Sequence, residues 1–214
     1  MSKIECAAVL DVLAELYPEA VCALEHGSVF QLLVAVALSA QTTDKSVNKI
    51  TPNLFERYPD AASLAEADEE ALQGIIKTIG MYRTKAANIK KMSEMLVSDY
   101  GGETPGCFEE LIKLPGVGRK TANVVLAVGF GEQRIAVDTH VFRVANRIGL
   151  CDEKDVLATE TALMANLPEN RWTEAHHSLI FHGRNCCRAR NPECESCALS
   201  DQRLCRHADH AAGV

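Results

Sequence analysis

The sequence of 214 residues lacks an apolar run long enough to cross a bilayer. The longest run, residues 29–40, is interrupted by Gln31 and Ser39, whereas a spanning helix needs about 20 apolar residues. The first residues also lack the pattern of a secretory signal, because Glu5 precedes any apolar stretch. We therefore expect a cytoplasmic protein with no membrane partner, whose nine cysteines are reduced thiols or metal ligands rather than disulfides.

Two further absences concern the fold class. No segment alternates apolar and polar residues as a half-buried strand does, and aromatic residues make up only 5% of the chain. Nearly every long segment instead repeats its apolar residues with the helical period, and the common residue types favour helix. No internal repeat or low-complexity linker divides the chain. The sequence therefore predicts an all-α protein of about ten helices.

Caps and stop signals predict where the helices lie. Ser28 caps a run that is apolar on all sides and therefore buried, Ser63 begins another helix, and Gly101 and Gly102 end a long amphipathic one. The predicted helices are residues 4–17, 29–40, 44–57 (interrupted or restarted at Pro52), 63–76, 85–100, 107–114, 120–130, 139–148, 156–167 and 174–183.

Charge is unevenly distributed along the chain. The net charge of −7 alone argues against a nucleic-acid partner. However, residues 77–91 hold five basic side chains and no acidic one, residues 113–147 hold six against two, and residues 184–190 hold three against none. Such segregation is typical of a protein that binds a polyanion. Solvated helix faces are the alternative, and charge alone does not decide between the two.

A glycine-rich turn, LPGVGRK at residues 114–120, separates two predicted helices. Glycine reaches positive φ freely, and the second helix begins with unpaired backbone N–H groups and the positive end of its dipole. Such a terminus binds phosphate, and Gly116 and Gly118 let a DNA backbone approach closely. A plain corner between two helices is the alternative. The adjacent Arg119 and Lys120 favour phosphate binding.

These residues also carry a family resemblance. The segments LPGVGRKTANVV and IAVDTHVFRVANRIG resemble the helix-hairpin-helix and Gly/Pro-Asp signatures of the endonuclease III family of DNA glycosylases, and the similarity extends to LLVAVALSAQTTDKSVNK, GMYRTKAANIKKM and HHSLIFHGRNCC. The resemblance implies a two-lobed helical DNA glycosylase fold. Residues 22–132 would form a six-helix domain with the helix-hairpin-helix at about 107–130, and residues 1–21 with 133–214 would form a helical iron–sulfur domain. We expect a monomeric, nucleoid-associated protein of bacterial or archaeal origin.

Lys120 and Asp138 are the candidate catalytic residues. The helix dipole and Arg119 both disfavour an ammonium at Lys120, and a neutral amine is a nucleophile that can form a Schiff base. Asp138 precedes a predicted helix, so its simplest role is that of an N-cap, as an exposed lysine is the simplest interpretation of Lys120. The resemblance implies that Lys120 attacks C1′ of the deoxyribose and that Asp138 stabilises the cationic sugar.

Removing a base from duplex DNA requires another group to fill the gap in the stack. The resemblance implies that Gln41 and the loop from Ile79 to Met81 serve this purpose. The family commonly has leucine where Met81 stands, and methionine keeps the size and apolarity of a wedge. Core filling is the alternative for Met81. His140 is expected to line the lesion pocket or contact DNA, with a simple surface position as the alternative.

Four cysteines near the carboxyl end, Cys187, Cys194, Cys197 and Cys205, have the spacing C-x6-C-x2-C-x7-C. A zinc ribbon would normally offer two C-x2-C pairs, and a cubane cluster tolerates the uneven spacing better. The alternatives are zinc and free thiols. The resemblance implies a [4Fe–4S] cluster in the loop 187–205, although the family usually has five residues in the last gap. Cys186 is the substitute ligand.

Arg188 and Arg190 lie between the first two predicted ligands, in a loop too short and polar to build a core. We expect the cluster to hold this loop and its arginines to point outward. A guanidinium offers a bidentate fork for phosphate, so both arginines are predicted to contact DNA. Solubility alone is the alternative, and Glu193 could neutralise part of the charge.

These features predict a bifunctional repair enzyme. It would excise damaged (oxidised) pyrimidines from duplex DNA and cleave the strand 3′ to the abasic site by β-elimination. The alternatives are a monofunctional glycosylase for mispaired adenine or a pyrimidine dimer, and a non-catalytic helix-hairpin-helix DNA-binding module. Lys120 disfavours the first, since the adenine-specific relatives usually lack that lysine. Lys120 together with Asp138 disfavours the second, since a docking module needs neither.

Overall fold

The computed structural model describes residues 1–207, which form α-helices and short 3-10 turns without any strand. This confirms the predicted all-α class. The helices are α1 (Lys3–Leu16), α2 (Val29–Leu38), α3 (Asp44–Asn48), α4 (Thr51–Arg57), α5 (Ala61–Ala65), α6 (Glu69–Ile76), α7 (Tyr82–Tyr100), α8 (Phe108–Leu111), α9 (Arg119–Gly129), α10 (Thr139–Ile148), α11 (Val156–Asn166), α12 (Trp172–Asn185) and α13 (Ala198–Asp201). None of these helices is both long enough and apolar enough to span a membrane.

Local capping chemistry explains where the helices begin. The Ser28 hydroxyl accepts a hydrogen bond from the Gln31 N–H at 3.2 Å and begins α2, as predicted. The predicted single helix over residues 63–76 is wrong, because α5 and α6 replace it. Asp60, not Ser63, is the N-cap of α5, and Asp68 begins α6 by accepting a hydrogen bond from Ala71 N–H at 2.8 Å. A second strong N-cap residue therefore divides the predicted helix.

The chain folds into two compact units. We call Ala23–Gly131 the hairpin unit, and residues 1–22 with those from Glu132 onward the terminal unit. In the hairpin unit, α2 packs on α7 and α9, while α5 and α6 pack on α7. In the terminal unit, α12 packs against α1 and α10, and the core continues into three buried cysteines, Cys187, Cys197 and Cys205. The predicted roles of the two domains stay predictions.

Candidate functional site

The glycine turn of the hairpin unit has the geometry that its composition predicts. Gly116 is exposed and adopts φ +80°, and a Cβ atom at this position would lie 3.1 Å from Cβ of Asn88 on α7. Both the left-handed conformation and the close approach therefore require glycine. Gly118 is the N-cap of α9, and no side chain caps the helix. The first backbone N–H groups of α9 are left to other acceptors, as phosphate binding would need.

Lys120 is the second residue of α9 and lies at its exposed start, whereas the next turns of the helix, residues 122–127, are buried on all sides. The preceding Arg119 is also exposed, and its guanidinium carbon lies 5.0 Å from the centre of the Phe108 ring. The amine of Lys120 is therefore accessible to a substrate at the start of the helix.

Gln41 and Met81, also in the hairpin unit, share an unusual backbone conformation. They adopt φ +54° and φ +56°, a left-handed region that costs residues other than glycine about 1–2 kcal/mol. Gln41 lies in a tight turn that the Thr42 N–H closes by donating to Ser39 O at 2.9 Å. Met81 is 53% exposed, so it does not fill the core. Strained residues that protrude from a surface are candidates for function.

Ile79 differs from its two predicted partners because it is 3% exposed and belongs to the core. Only its backbone is left for the predicted DNA contact. Met81 and Gly116, by contrast, line one cavity of about 120 Å³, and Ala40 lines it beside Gln41. The hairpin unit therefore brings the end of α2, the start of α7 and the glycine turn together around one cavity.

Lys85 shows that counting basic residues in the sequence overestimates the charge on the surface. It belongs to the basic window 77–91, yet it is 6% exposed. Its ammonium donates hydrogen bonds to Leu38 O at 2.9 Å and to Thr42 Oγ1 at 2.8 Å, and burial lowers its pKa. Lys85 therefore adds no charge to the surface. The available signal was its place on the buried stripe of α7, four residues before Ile89.

Asp138 belongs to the terminal unit and is the N-cap of α10, as its simplest interpretation predicts. One carboxylate oxygen, Oδ1, accepts hydrogen bonds from the N–H groups of His140 and Val141, both at 2.8 Å. The cap therefore occupies one oxygen and fixes the orientation of the other. His140 is half-buried, and burial lowers its pKa although Asp138 opposes the shift. A largely neutral imidazole follows at neutral pH.

The predicted cluster ligands are thiols in or beside the core of the terminal unit. Cys187, Cys197 and Cys205 are buried and Cys194 is half-buried, and no disulfide joins cysteines within residues 1–207. Burial, followed by the nearby thiols of Cys187 and Cys197, raises the pKa of Cys194. Nη1 of Arg147 lies 3.7 Å from Cys187 Sγ, and Cys205 Sγ lies 4.0 Å from Arg147 O. Through these contacts the four thiols share one neighbourhood of the terminal unit.

Sequence reasoning missed a buried histidine in this neighbourhood. His182 is 2% exposed, and ligand atoms of His182, Cys186 and Cys197 all lie within 4.8 Å of one another. Burial opposes ionisation of Cys197, but hydrogen bonds from His182 and the Ser200 N–H outweigh it and lower the pKa of this thiol. Burial, followed by Cys197, raises the pKa of Cys186. His182 and Cys186 therefore lie beside the predicted ligand Cys197.

Two arginines of α10 hold the loop that carries Arg188 and Arg190. Arg147 donates to the backbone oxygens of Arg188 and Ala189, at 2.6 and 3.1 Å, and Arg143 donates to Cys187 O at 3.1 Å. The expectation that a cluster alone shapes this loop is therefore incomplete. The available signal was the i, i+4 spacing of the two arginines on a helix.

The side chains of the loop are exposed as expected. Arg190 is exposed, whereas the Arg188 guanidinium lies 3.0 Å from Glu193 Oε1. Both partners of this ion pair are about half exposed, so water and salt can compete for it. Glu193 does neutralise part of the loop's charge, as the sequence suggested.

Comparisons with known proteins agree with these features. Residues 34–169 match the HhH-GPD superfamily of base excision DNA repair proteins. Endonuclease III of Bacillus subtilis (strain 168) is 52% identical over 198 residues, which cover 92% of this chain and 90% of that protein. Endonuclease III of Synechocystis sp. is 46% identical over 201 residues, 94% of this chain and 91% of that protein.

Similarity extends to three-dimensional structure. The solved structure of a trapped endonuclease III–DNA covalent intermediate matches this chain with a TM-score of 0.92 and 46% identity, over 99% of each chain. A thermostable thymine-DNA glycosylase, at 22% identity and a TM-score of 0.86, shares the fold. The resemblance inferred from the sequence motifs is thus confirmed, and the chain belongs to the endonuclease III family of the HhH-GPD superfamily of base excision DNA repair proteins.

Proposed function

We propose that this protein is a bifunctional DNA repair enzyme that removes damaged pyrimidines from duplex DNA and cleaves the strand at the resulting abasic site. The accessible amine of Lys120, on the first turn of an uncapped helix after the glycine turn, is the observation that carries the proposal. The family supports it, since a relative 46% identical over nearly the whole chain has been solved as a trapped covalent intermediate with DNA.

Lys120 is the nucleophile in this proposal. Its neutral amine forms a bond to C1′ while the bond between C1′ and the base breaks, and the base leaves with the electron pair. Opening of the sugar ring gives an imine. Loss of a C2′ proton then expels the 3′ phosphate by β-elimination, which cuts the strand 3′ to the lesion. Hydrolysis of the imine releases Lys120.

Asp138 stabilises the positive charge that develops on the sugar. A carboxylate of fixed orientation serves this purpose best, because it needs no reorganisation when the charge appears. The two cap hydrogen bonds that Oδ1 accepts supply that orientation and leave Oδ2 for the substrate. The roles of cap and catalytic group are therefore compatible in one side chain.

Docking on the duplex is assigned to the glycine turn and to several other residues. Gly116, Gly118 and the N–H groups at the start of α9 bind a backbone phosphate beside Arg119. Gln41 and Met81 fill the gap that the everted base leaves. The remaining contacts assigned to DNA are those of the Ile79 backbone, His140, Arg188 and Arg190.

Cys187, Cys194, Cys197 and Cys205 hold a [4Fe–4S] cluster in this proposal. Their fit rests on the donor set, four thiols gathered in and beside the core of one unit with no disulfide among the described residues. When bound, the cluster supplies four iron–sulfur bonds that tie the loop 187–205 to that core. Purified protein is expected to be brown, with about four iron atoms per chain.

Iron content and absorbance test the choice of ligands. Cys205→Ala should lose iron because it removes one of the four proposed thiolate ligands, whereas Cys186→Ala should keep it because Cys186 lies outside that set. Iron lost from Cys186→Ala and retained in Cys205→Ala would assign the fourth ligand to Cys186. Zinc in place of iron would reject the cluster.

Borohydride trapping tests the chemistry. The wild-type protein should form a covalent adduct with duplexes that contain an oxidised pyrimidine or an abasic site, since borohydride reduces the imine. Lys120→Gln should form none while keeping most of its DNA affinity, because Lys120 is one of several basic contacts. Full lyase activity in this variant would contradict the assignment of the nucleophile.

A further inference from the structure

Lys85 forms an unusual buried contact next to the proposed DNA-inserting residues. Its ammonium is bound by two neutral acceptors, Leu38 O and Thr42 Oγ1. Within residues 1–207, no carboxylate forms an ion pair with it. A buried charge without a counterion is costly, so its presence calls for a specific benefit. The benefit lies in the segment of chain that carries the two acceptors.

The two acceptors lie on either side of the turn that carries Gln41. Leu38 is the last residue of α2, where helix carbonyls lack partners within the helix, and Thr42 directly follows Gln41. The ammonium therefore connects Leu38, before the turn, to Thr42, at its end. Between these points Gln41 is exposed and adopts φ +54°, a conformation that persists only when its surroundings enforce it.

The main chain of Lys85 contacts Met81. The Lys85 N–H donates to Met81 O at 3.0 Å, which forms the first hydrogen bond of α7. Met81 is the N-cap of this helix, also left-handed, and no side chain caps it. Lys85 thus contacts the Gln41 turn through its side chain and Met81 through its main chain. The cavity of about 120 Å³ beside it is lined by Ala40, Met81 and Lys85 itself.

We propose that Lys85 is a positioning residue that fixes the Gln41 turn against the start of α7, so that Gln41 and Met81 enter the DNA stack as a preformed pair. The inference rests on the proposed function, in which these side chains fill the gap left by the everted base. Unstacking a base costs free energy, and ordering a mobile turn at the same moment would add to the barrier. A preformed pair avoids that second cost.

Lys90 provides a matched control on the same helix. Its ammonium also donates to a backbone oxygen at 2.8 Å, but that oxygen belongs to Ala67, in the segment between α5 and α6, and not to the Gln41 turn. Lys85→Met and Lys90→Met therefore each remove a lysine-to-carbonyl contact from α7. Their melting temperatures give the effect of each change on folding, independent of DNA.

Insertion is measured with 2-aminopurine placed opposite an oxidised pyrimidine, since its fluorescence rises when it is unstacked. Wild type and Lys90→Met should give the full rise on binding, and Lys85→Met less than half of it. Single-turnover excision by Lys85→Met should fall on the order of 10- to 100-fold, as expected for misplaced groups. In a duplex whose lesion lies in an unpaired bubble, the loss should shrink to about threefold, because little stacking remains to be broken.

The bubble substrate separates positioning from general damage to the fold. An equal loss on both substrates, or the same defect in Lys90→Met, would overturn the proposal. Should Lys85→Met not fold, Thr42→Val removes one of the two acceptors and should show the same substrate pattern with a loss of about tenfold. Wild-type protein that neither excises a base nor is trapped on DNA would instead refute the proposed function.

Discussion

Asp138 has two separable roles, and substitutions can distinguish them. The cap consists of two hydrogen bonds of 2.8 Å, from the N–H groups of His140 and Val141 to one carboxylate oxygen. Asparagine keeps an oxygen able to accept both, whereas alanine keeps none. Loss of an N-cap costs about 0.5–2 kcal/mol. In a chain of this size, 1 kcal/mol corresponds to a shift in Tm of about 2–4 °C.

We therefore expect Asp138→Ala to lower Tm by a few degrees and Asp138→Asn to leave it almost unchanged. Base excision should fall in both variants by about two to three orders of magnitude, because both remove the negative charge that stabilises the sugar cation. Thermal melting measures the change in Tm, and excision is measured separately, in single-turnover reactions on an oxidised pyrimidine with DNA affinity measured in parallel.

Two outcomes would contradict these roles of Asp138. An Asp138→Asn variant that excises the base at a near-normal rate would return Asp138 to a purely structural role. If Asp138→Ala is as stable as the wild type, the cap hydrogen bonds contribute little and the orientation of the carboxylate needs another explanation. Asp155 of α11 is a control, since it makes the same kind of cap with Leu157 and Ala158.

Helix ends could be predicted where one cap and one stop lie at the right separation. α10 extends from Thr139 to Ile148, as predicted, because Asp138 caps its start and Gly149, at φ +98°, ends it. The prediction of a single helix over residues 63–76 was wrong for a related reason. Asp68 is a strong N-cap in the middle of a helical pattern, and periodicity alone does not reveal that a cap has formed there.

Contacts with the backbone are the part of the site that sequence reasoning could not supply. Lys85 binds a carbonyl 47 positions away, and Arg147 binds carbonyls more than 40 positions away. Every residue has a carbonyl, so no residue type marks the partner. The glycine turn was predictable because its requirement is local: positive φ and close approach both demand glycine at Gly116.

Adjacent cysteines show a second limit to what the sequence can predict. Cys186 and Cys187 differ by one position, yet the first shares a group with His182 and Cys197 while the second contacts Arg147. The direction of each thiol depends on how the backbone leaves α12, where Cys186 is the C-cap. Spacing alone identifies a metal-binding segment and leaves open which neighbouring thiol faces the centre.

Two further predictions concern pH and salt. Burial lowers the pKa of His177, so the unfolded chain binds more protons than the folded one, and the free energy of unfolding should fall as the pH drops below about 6.5. Urea unfolding of wild type and His177→Gln at pH 5.5 and 7.5 checks this, since the variant should lose part of the pH dependence. Arg190→Ala should weaken binding equally for damaged and undamaged duplexes and reduce the salt slope of log K by about one, because each phosphate contact releases about one counterion. Arg188→Ala should do the same, whereas Glu193→Gln should strengthen binding, because Glu193 pairs with Arg188 and repels phosphate. If both arginine variants keep the wild-type salt slope and DNA affinity, the loop does not touch DNA. If Glu193→Gln binds DNA more weakly than the wild type, the ion pair shapes the loop rather than competing with phosphate.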